Sequence, residues 1–483
     1  MVSETLSYPK IIDAYDATKF KQRAEQVVAV LADYLSKVDE LPVLKWQDPQ
    51  QAIESWRQDF SEGNQDLESL VKKFIEESNH LHSPRYAGHQ VTTPIPTAAL
   101  AELAYSFLNS PSTIYEMGPA SYGIEQAIVC WLAEKLYIDT DKAGAVLTSG
   151  GSLGNLTALL AARQTKAGYD VWNEGVKDDL AIMVSDQNHY SVTRAAHVMG
   201  LGSKSIYFVP SDENFKLKVD ELEQVYQQTQ ADDKRVIAVC ASACSTATGA
   251  YDDLNSIADF CEANDLWLHV DGAHGASVAL SERYKHLIAG INRADSVVWD
   301  AHKMMAIPSL ITAVIYKNRS ESYATFSQDA SYLLDQNSIE RDTCNRTVEC
   351  TKPNMAMKLY LSLAIHGEEF FSDYIDATHD LAKDFAKLIQ EQTDFELAIE
   401  PESNIVCFRY SPKELYSVQN KLNTVQLNSL QVKIRESIIK SGEFYFVKTD
   451  LRGKTYLRVS LMNPLTKIED LQKLLELIRN VEY

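Results

Sequence analysis

Three consecutive segments, RVIAVCA (235–241), LNSIADFC (254–261) and LWLHVD (266–271), decide the fold. The first and third are short apolar runs without alternation of polar and apolar residues. The middle one repeats Leu254, Ile257, Ala258 and Cys261 at helical spacing. A strand without alternation is buried on both faces, and strands separated by helices belong to a largely parallel sheet. Working outward, the same kind of segment recurs at AVLTS (145–149), LAIMVS (180–185), SIYFV (205–209), SVVWD (296–300) and ITAVIY (311–316). Seven strands therefore predict one large α/β domain. The last two lie too close together for a crossover helix, so one antiparallel strand is expected.

On the amino-terminal side the texture is helical. Phe20, Ala24, Val27, Val28, Leu31 and Leu35 recur at helical spacing, and a second amphipathic run spans Leu67 to Phe74. Such a stripe cannot bury itself and is expected to pack on a neighbour. Pro94 and Pro96 open an apolar helix through Leu100, Leu103 and Phe107, and another helix is expected from Tyr122 to Leu136. After Gly367 a helix is followed by strands at 395–399, 405–410, 444–448 and 455–461, with a helix near 425–440 and a closing one, a small α/β domain. The expected division is residues 1–82, an N-terminal helical segment used in dimer packing; 83–353, the large ligand-binding domain; and 354–483, the small C-terminal domain.

Composition narrows the function. The 483 residues carry 46 Lys+Arg against 67 Asp+Glu, a formal charge of −21, which argues against a nucleic-acid partner or an anionic membrane surface. No run of eighteen apolar residues and no basic–apolar leader occurs, so neither a membrane span nor a secretory signal is expected. Seven cysteines without a CxxC pair read as reduced thiols in a cytoplasmic protein, and no metal site is expected.

Ligands of open parallel sheets bind beyond the carboxyl ends of the strands. Four strand ends here carry reactive or small residues. TSGGSLGN (148–155) places glycines before a helix, where free N–H groups and the Ser152 hydroxyl can hold a phosphate; the same residues also fit a plain turn, and they are not a dinucleotide or P-loop fingerprint. HVDGAHGAS (269–277) puts Asp271 where a strand meets its turn. WDAHKMM (299–305) puts Lys303 among Trp299, Met304, Met305 and Ile307, where desolvation is expected to lower its pKa. SDQNHYS (185–191) places His189 after the second strand. Singly, each fits a structural role. Together, a buried lysine, an upstream acid, a histidine that can stack and a phosphate cradle match what pyridoxal 5'-phosphate requires.

TSGGSLGN, NHYS, HVDGAHG, DAHKMM, ASYL (330–333) and LRVSLMNP (457–464) resemble the group II pyridoxal-phosphate-dependent amino-acid decarboxylases, which include glutamate, cysteine-sulfinate, aromatic-amino-acid and diaminobutyrate decarboxylases. The resemblance spans roughly 60–483. It implies an aspartate-aminotransferase-like fold (fold type I) and a homodimer with the site at the interface. It implies Lys303 as the covalent anchor of the cofactor, Asp271 as partner of its ring nitrogen and His189 stacked on the ring. Gly151, Ser152 and His302 would hold the phosphate, Ala273 would lie under the ring, and Ser245 or Thr246 near the phenolic oxygen. Arg458 matches the arginine that grips the substrate carboxylate.

The implied activity is decarboxylation of an L-amino acid to the amine and CO2. The segment SPRYAGHQVTT (83–93) resembles the one lining the distal pocket in relatives and presents His89, Gln90 and Thr92, which favours a polar or acidic side chain such as glutamate, aspartate or cysteine sulfinate; packing is the alternative for these residues. Arg85 and His89 are the nearby cations, and Glu116 would suit diaminobutyrate instead. An aromatic substrate, a transaminase or lyase on the same cofactor, and a non-catalytic cofactor-binding protein remain the competing readings. Two departures stand out. The lid segment 334–350 lacks the tyrosine that commonly protonates Cα, and Asp300 stands where many relatives have asparagine.

Overall fold

The structure, a computed structural model, describes residues 9–62, 66–323, 325–326, 341–412 and 424–482. The chain forms two compact units. The larger comprises Gly88–Gln431 and Val447–Pro464; the smaller comprises Met1–Ala87, Val432–Phe446 and Leu465–Tyr483.

The larger unit is built on a seven-stranded sheet: β1 (Gly144–Thr148), β2 (Leu180–Ser185), β3 (Ile206–Val209), β4 (Arg235–Ser242), β5 (Leu268–Asp271), β6 (Ser296–Asp300) and β7 (Thr312–Tyr316). Their order is β1-β7-β6-β5-β4-β2-β3, and β7 alone runs antiparallel, to both its neighbours. This is the largely parallel sheet with one reversed strand expected from the spacing. Every residue of β1, β2, β5, β6 and β7 is buried, because apolar clusters cover both faces. That two-sided burial explains why the strands read as unbroken apolar runs.

A second, antiparallel sheet has the order β10-β11-β9-β8, formed by β8 (Phe395–Leu397), β9 (Ile405–Tyr410), β10 (Val447–Leu451) and β11 (Lys454–Ser460). The strand expected at 444–448 starts instead at Val447 and runs to Leu451. Phe444 and Phe446 are buried without joining that ladder, and Tyr445 makes an isolated bridge with Tyr86. The apolar signal at 444–446 marked burial, whereas the paired strand is the half-exposed VKTDL that follows.

In the smaller unit, helix Ala17–Lys37 carries the predicted stripe, yet Phe20, Val28, Leu31 and Leu35 stay exposed within one chain. In the larger unit, Leu100, Leu103 and Phe107 are likewise exposed on helix Pro96–Leu108. Among the described residues no helix is long and apolar enough to cross a membrane, and no cluster of potential metal ligands is found.

Candidate active site

The carboxyl ends of the parallel strands bring most of the singled-out residues to one edge of the large sheet. Asp300 ends β6 and is almost wholly buried. Its Oδ1 accepts a hydrogen bond from Thr312, and its Oδ2 lies 3.1 Å from Lys303 Nζ and 3.6 Å from His302 Nε2. Thus the second carboxylate noted in the sequence is paired on both oxygens. The same arrangement corrects the expectation for Lys303. Burial does press its pKa down, but Asp300 and Asp271, with the hydrogen bond to Asp300, outweigh it, and the net direction is up. The surroundings that looked only apolar in sequence contain two anions.

Asp271, the last residue of β5, is held on both oxygens: Oδ1 accepts from Ala273 N at 3.2 Å and Oδ2 from Asn155 Nδ2 at 2.9 Å. Asn155 also donates to Ser191 Oγ at 2.9 Å, and Ser191 Oγ lies 2.7 Å from His189 Nδ1. His189 caps helix Tyr190–Val198, its Nδ1 also accepting from Ser191 N, so the ring proton sits on Nε2. Burial lowers the His189 pKa, which keeps the ring neutral.

The glycine turn after β1 leads into helix Gly151–Lys166. Gly150 adopts φ +105°, a conformation that only glycine takes without strain. At Gly151 a Cβ would lie 2.9 Å from Asp300 Oδ2 and 3.4 Å from the Ala273 Cβ, so the turn, Ala273 and the Lys303–Asp300 pair are in direct apposition. Ser152 is exposed in the first turn of that helix. His302 Nδ1 lies 2.9 Å from Ile311 O and 3.2 Å from Ile311 N. Ser245 is buried, its Oγ 2.9 Å from Thr248 Oγ1, whereas Thr246 is half-buried beside it.

Arg458 lies on β11, between Val447 of β10 and Cys407 of β9. It is 7% exposed, and its Nε and one Nη have no hydrogen-bond partner among the described residues. An isolated buried guanidinium is costly, and burial presses its pKa down. Close by, His274 Nε2 donates to Asn404 Oδ1 at 2.7 Å, while its buried Nδ1 has no hydrogen-bond partner among the described residues. The Asn404 amide donates to Leu461 O at 3.1 Å, which fixes the orientation and leaves the His274 lone pair on Nδ1. Lys303 and Arg458 both act on this ring, and burial drives its pKa to about 3.

The distal residues behave differently. His89 is exposed, Gln90 is half-buried, and Thr92 is buried with its Oγ1 3.3 Å from Tyr374 Oη. Arg85, one of the two cations considered for a distal carboxylate, spends its guanidinium on the carbonyls of Asp39, Leu41 and Glu443. ASYL and residues 334–340 of the lid segment lie outside the described residues.

Sequence reasoning missed Asn155, His274, Asn404 and Lys358. Lys358 Nζ donates to the carbonyls of Pro308 and Ser309 at 2.9 and 3.2 Å, pinning the loop after Lys303. Asn155 and His274 stood inside quoted motifs, so their presence was visible though their partners were not.

The pyridoxal-dependent decarboxylase conserved domain matches residues 44–411. An aromatic-L-amino-acid decarboxylase of Bacillus atrophaeus is 29% identical over 96% of this chain and 95% of its own length. An acidic amino acid decarboxylase (GADL1) of Homo sapiens is 28% identical over 96% of this chain and 91% of its own. The crystal structure of mouse CSAD superimposes with a TM-score of 0.89 at 25% identity, covering 96% of this chain and 98% of that one. The fold is accordingly the fold type I arrangement of these enzymes. By the match over most of its length, the chain belongs to the pyridoxal-dependent decarboxylase family and is a pyridoxal-phosphate-dependent amino-acid decarboxylase.

Proposed function

We propose that this enzyme decarboxylates an L-amino acid with a polar or acidic side chain, glutamate, aspartate or cysteine sulfinate being the candidates, and that Arg458 holds a substrate carboxylate. The carrying observation is that guanidinium, buried on an internal strand with donors unpaired. A fold retains so costly a group where an anion completes it. The acidic specificity of the human relative named above agrees with this reading, and the aromatic specificity of the bacterial one is its rival.

In this reading the residues fit the cofactor by the chemistry of their donor set. Lys303 supplies the amine for the covalent link, Asp271 the carboxylate for the ring nitrogen, and His189 the stacking ring. Ala273 would lie beneath the ring, Gly151, Ser152 and His302 would take the phosphate, and Thr246 or Ser245 would meet the phenolic oxygen. His89, Gln90 and Thr92 contact the distal part of the substrate. When bound, pyridoxal 5'-phosphate supplies the electron sink for the pair released as the Cα–carboxylate bond breaks. The chain's own part is to orient that bond, exclude water and hold charge. Half-buried His189 keeps a proton on Nε2, and buried His274 an acceptor lone pair on Nδ1, in a setting where fixed dipoles count for more than in water.

We further infer a homodimer, because apolar residues stay exposed on helices Ala17–Lys37 and Pro96–Leu108 in a single chain. We place it in the cytoplasm, where seven free thiols are at home. The test is CO2 release by purified protein from Glu, Asp, cysteine sulfinate, diaminobutyrate, Lys, Tyr and Trp. The acidic group is expected to give the highest kcat/KM. Preference for Tyr or Trp would overturn the substrate assignment, and a keto acid in place of the amine would overturn the reaction. Borohydride treatment and peptide mapping should tag Lys303.

A further inference from the structure

We propose that Asn155 is a positioning residue that ties the Asp271 carboxylate and the His189 imidazole into one hydrogen-bonded unit, oriented from behind by His269 and Ser296. The inference rests on the reading that Asp271 and His189 face the cofactor, and it assigns what sets their geometry.

The orientation of the Asn155 amide is determined by its neighbours. Nδ2 has two hydrogens, and two acceptors meet it: Asp271 Oδ2 and Ser191 Oγ, each at 2.9 Å. Turning the amide over would set its oxygen against a carboxylate oxygen. Asn155 Oδ1 therefore accepts, and its donor is His269 Nε2 at 3.0 Å. With its proton on Nε2, His269 presents a lone pair on Nδ1 to Ser296 Oγ at 2.8 Å, and that oxygen in turn receives the Trp267 Nε1 hydrogen at 2.8 Å. All the donors point one way, from Trp267 through Ser296, His269 and Asn155 to Asp271.

The second branch leaves from the same amide. Ser191 Oγ, having accepted from Asn155, has its own hydrogen free for His189 Nδ1 at 2.7 Å. Asn155, Ser191, His269, Ser296 and Trp267 are each no more than 2% exposed, so water does not compete for these bonds. Burial also drives the His269 pKa down to about 4, and the relay stays neutral. Neutrality matters here. A charged imidazolium behind Asp271 would draw the carboxylate's field away from whatever it faces.

The test compares wild type with N155A, H269Q and H269F, all full length. Three quantities are read: the dissociation constant of pyridoxal 5'-phosphate from apo-protein by fluorescence quenching, the pH midpoint of the bound cofactor's visible absorbance, and the melting temperature of the apo-protein. N155A should weaken cofactor binding at least about tenfold, the worth of one charge-assisted hydrogen bond, and shift the absorbance midpoint. H269Q keeps a donor toward Asn155 and should stay near wild type in the midpoint, whereas H269F should shift it. If N155A does not fold, the H269Q and H269F pair reads the same relay. Wild-type affinity and midpoint in N155A, or a fall in melting temperature with no midpoint shift in N155A or H269F, would overturn the proposal. A wild type that takes up no cofactor is a separate outcome, which sinks the reading of the site itself.

Discussion

Asp300 Oδ2 stands 3.1 Å from Lys303 Nζ and holds that amine in its charged form. An amine adds to an aldehyde only when neutral, so this pair restrains cofactor uptake by the apo-protein at neutral pH. In D300N the charge is gone while Asn Oδ1 can still accept from Thr312. The Lys303 pKa should fall, and the rate of cofactor uptake at pH 7 should rise, by about tenfold for each unit of lowering. Because the folded pKa is raised, the ion pair stabilises the fold fully below the unfolded lysine value of about 10.4 and loses that contribution as pH climbs through the folded value. D300N should therefore also lower apo-protein stability at neutral pH. Stopped-flow absorbance across pH 6–10 checks the rate; an unchanged or upward-shifted pH midpoint would contradict the pairing.

Gly151 abuts that same carboxylate. A methyl group at this position would sit 2.9 and 3.2 Å from the two Asp300 oxygens, and Asp300 is held by Thr312 and Lys303 and cannot swing aside freely. G151A should destabilise the apo-protein by about 1–3 kcal/mol, the usual cost of overpacking, and weaken cofactor binding more than a distant alanine substitution on the same helix. Chemical denaturation and a binding titration measure both. Wild-type stability would show that the turn has slack.

How much of this was legible follows from where each signal resides. β2, β6 and β9 begin and end where the apolar runs LAIMVS, SVVWD and IVCFRY do, because burial on both faces writes itself into contiguous residues. Lys303 and Asp271 stood out because each interrupts such a run at a strand tip. The sign of the Lys303 shift was not legible, since it depends on a 3.1 Å contact with Asp300 rather than on apolar neighbours. Nor was the Asn155 hub, whose partners come from helix Tyr190–Val198 and from both ends of β5. At 444–446 the pattern misled, because aromatic burial outside a ladder has the same signature as a strand.

Arg458 offers a trade of stability against binding. Its buried guanidinium has donors unpaired among the described residues, and an apolar residue of similar length removes that desolvation cost. R458M should leave the apo-protein as stable as wild type or more stable by about 1–3 kcal/mol. The same change should raise KM for the preferred substrate by about 10- to 150-fold, the worth of a charged hydrogen bond. Differential scanning calorimetry and steady-state kinetics read the two arms. A large loss of stability with unchanged KM would make Arg458 a structural residue.

Buried neutral histidines should make the fold acid-sensitive in a defined window. Burial drives His274 to about 3 and His269 and His379 to about 4, well under the unfolded value of about 6.5. A histidine whose folded pKa is lowered stabilises the fold above its unfolded pKa and loses that contribution as pH falls, because the unfolded chain takes up the proton first. Each such ring steepens the loss below pH 6.5 by up to about 1.4 kcal/mol per pH unit. H274Q keeps an amide donor for Asn404 Oδ1 but cannot titrate. Its apo-protein stability, measured by urea denaturation from pH 8 to 4.5, should parallel wild type above pH 7 and decline less steeply below 6.5. Parallel curves across the whole range would mean that His274 is protonated in the folded chain as readily as in the unfolded one.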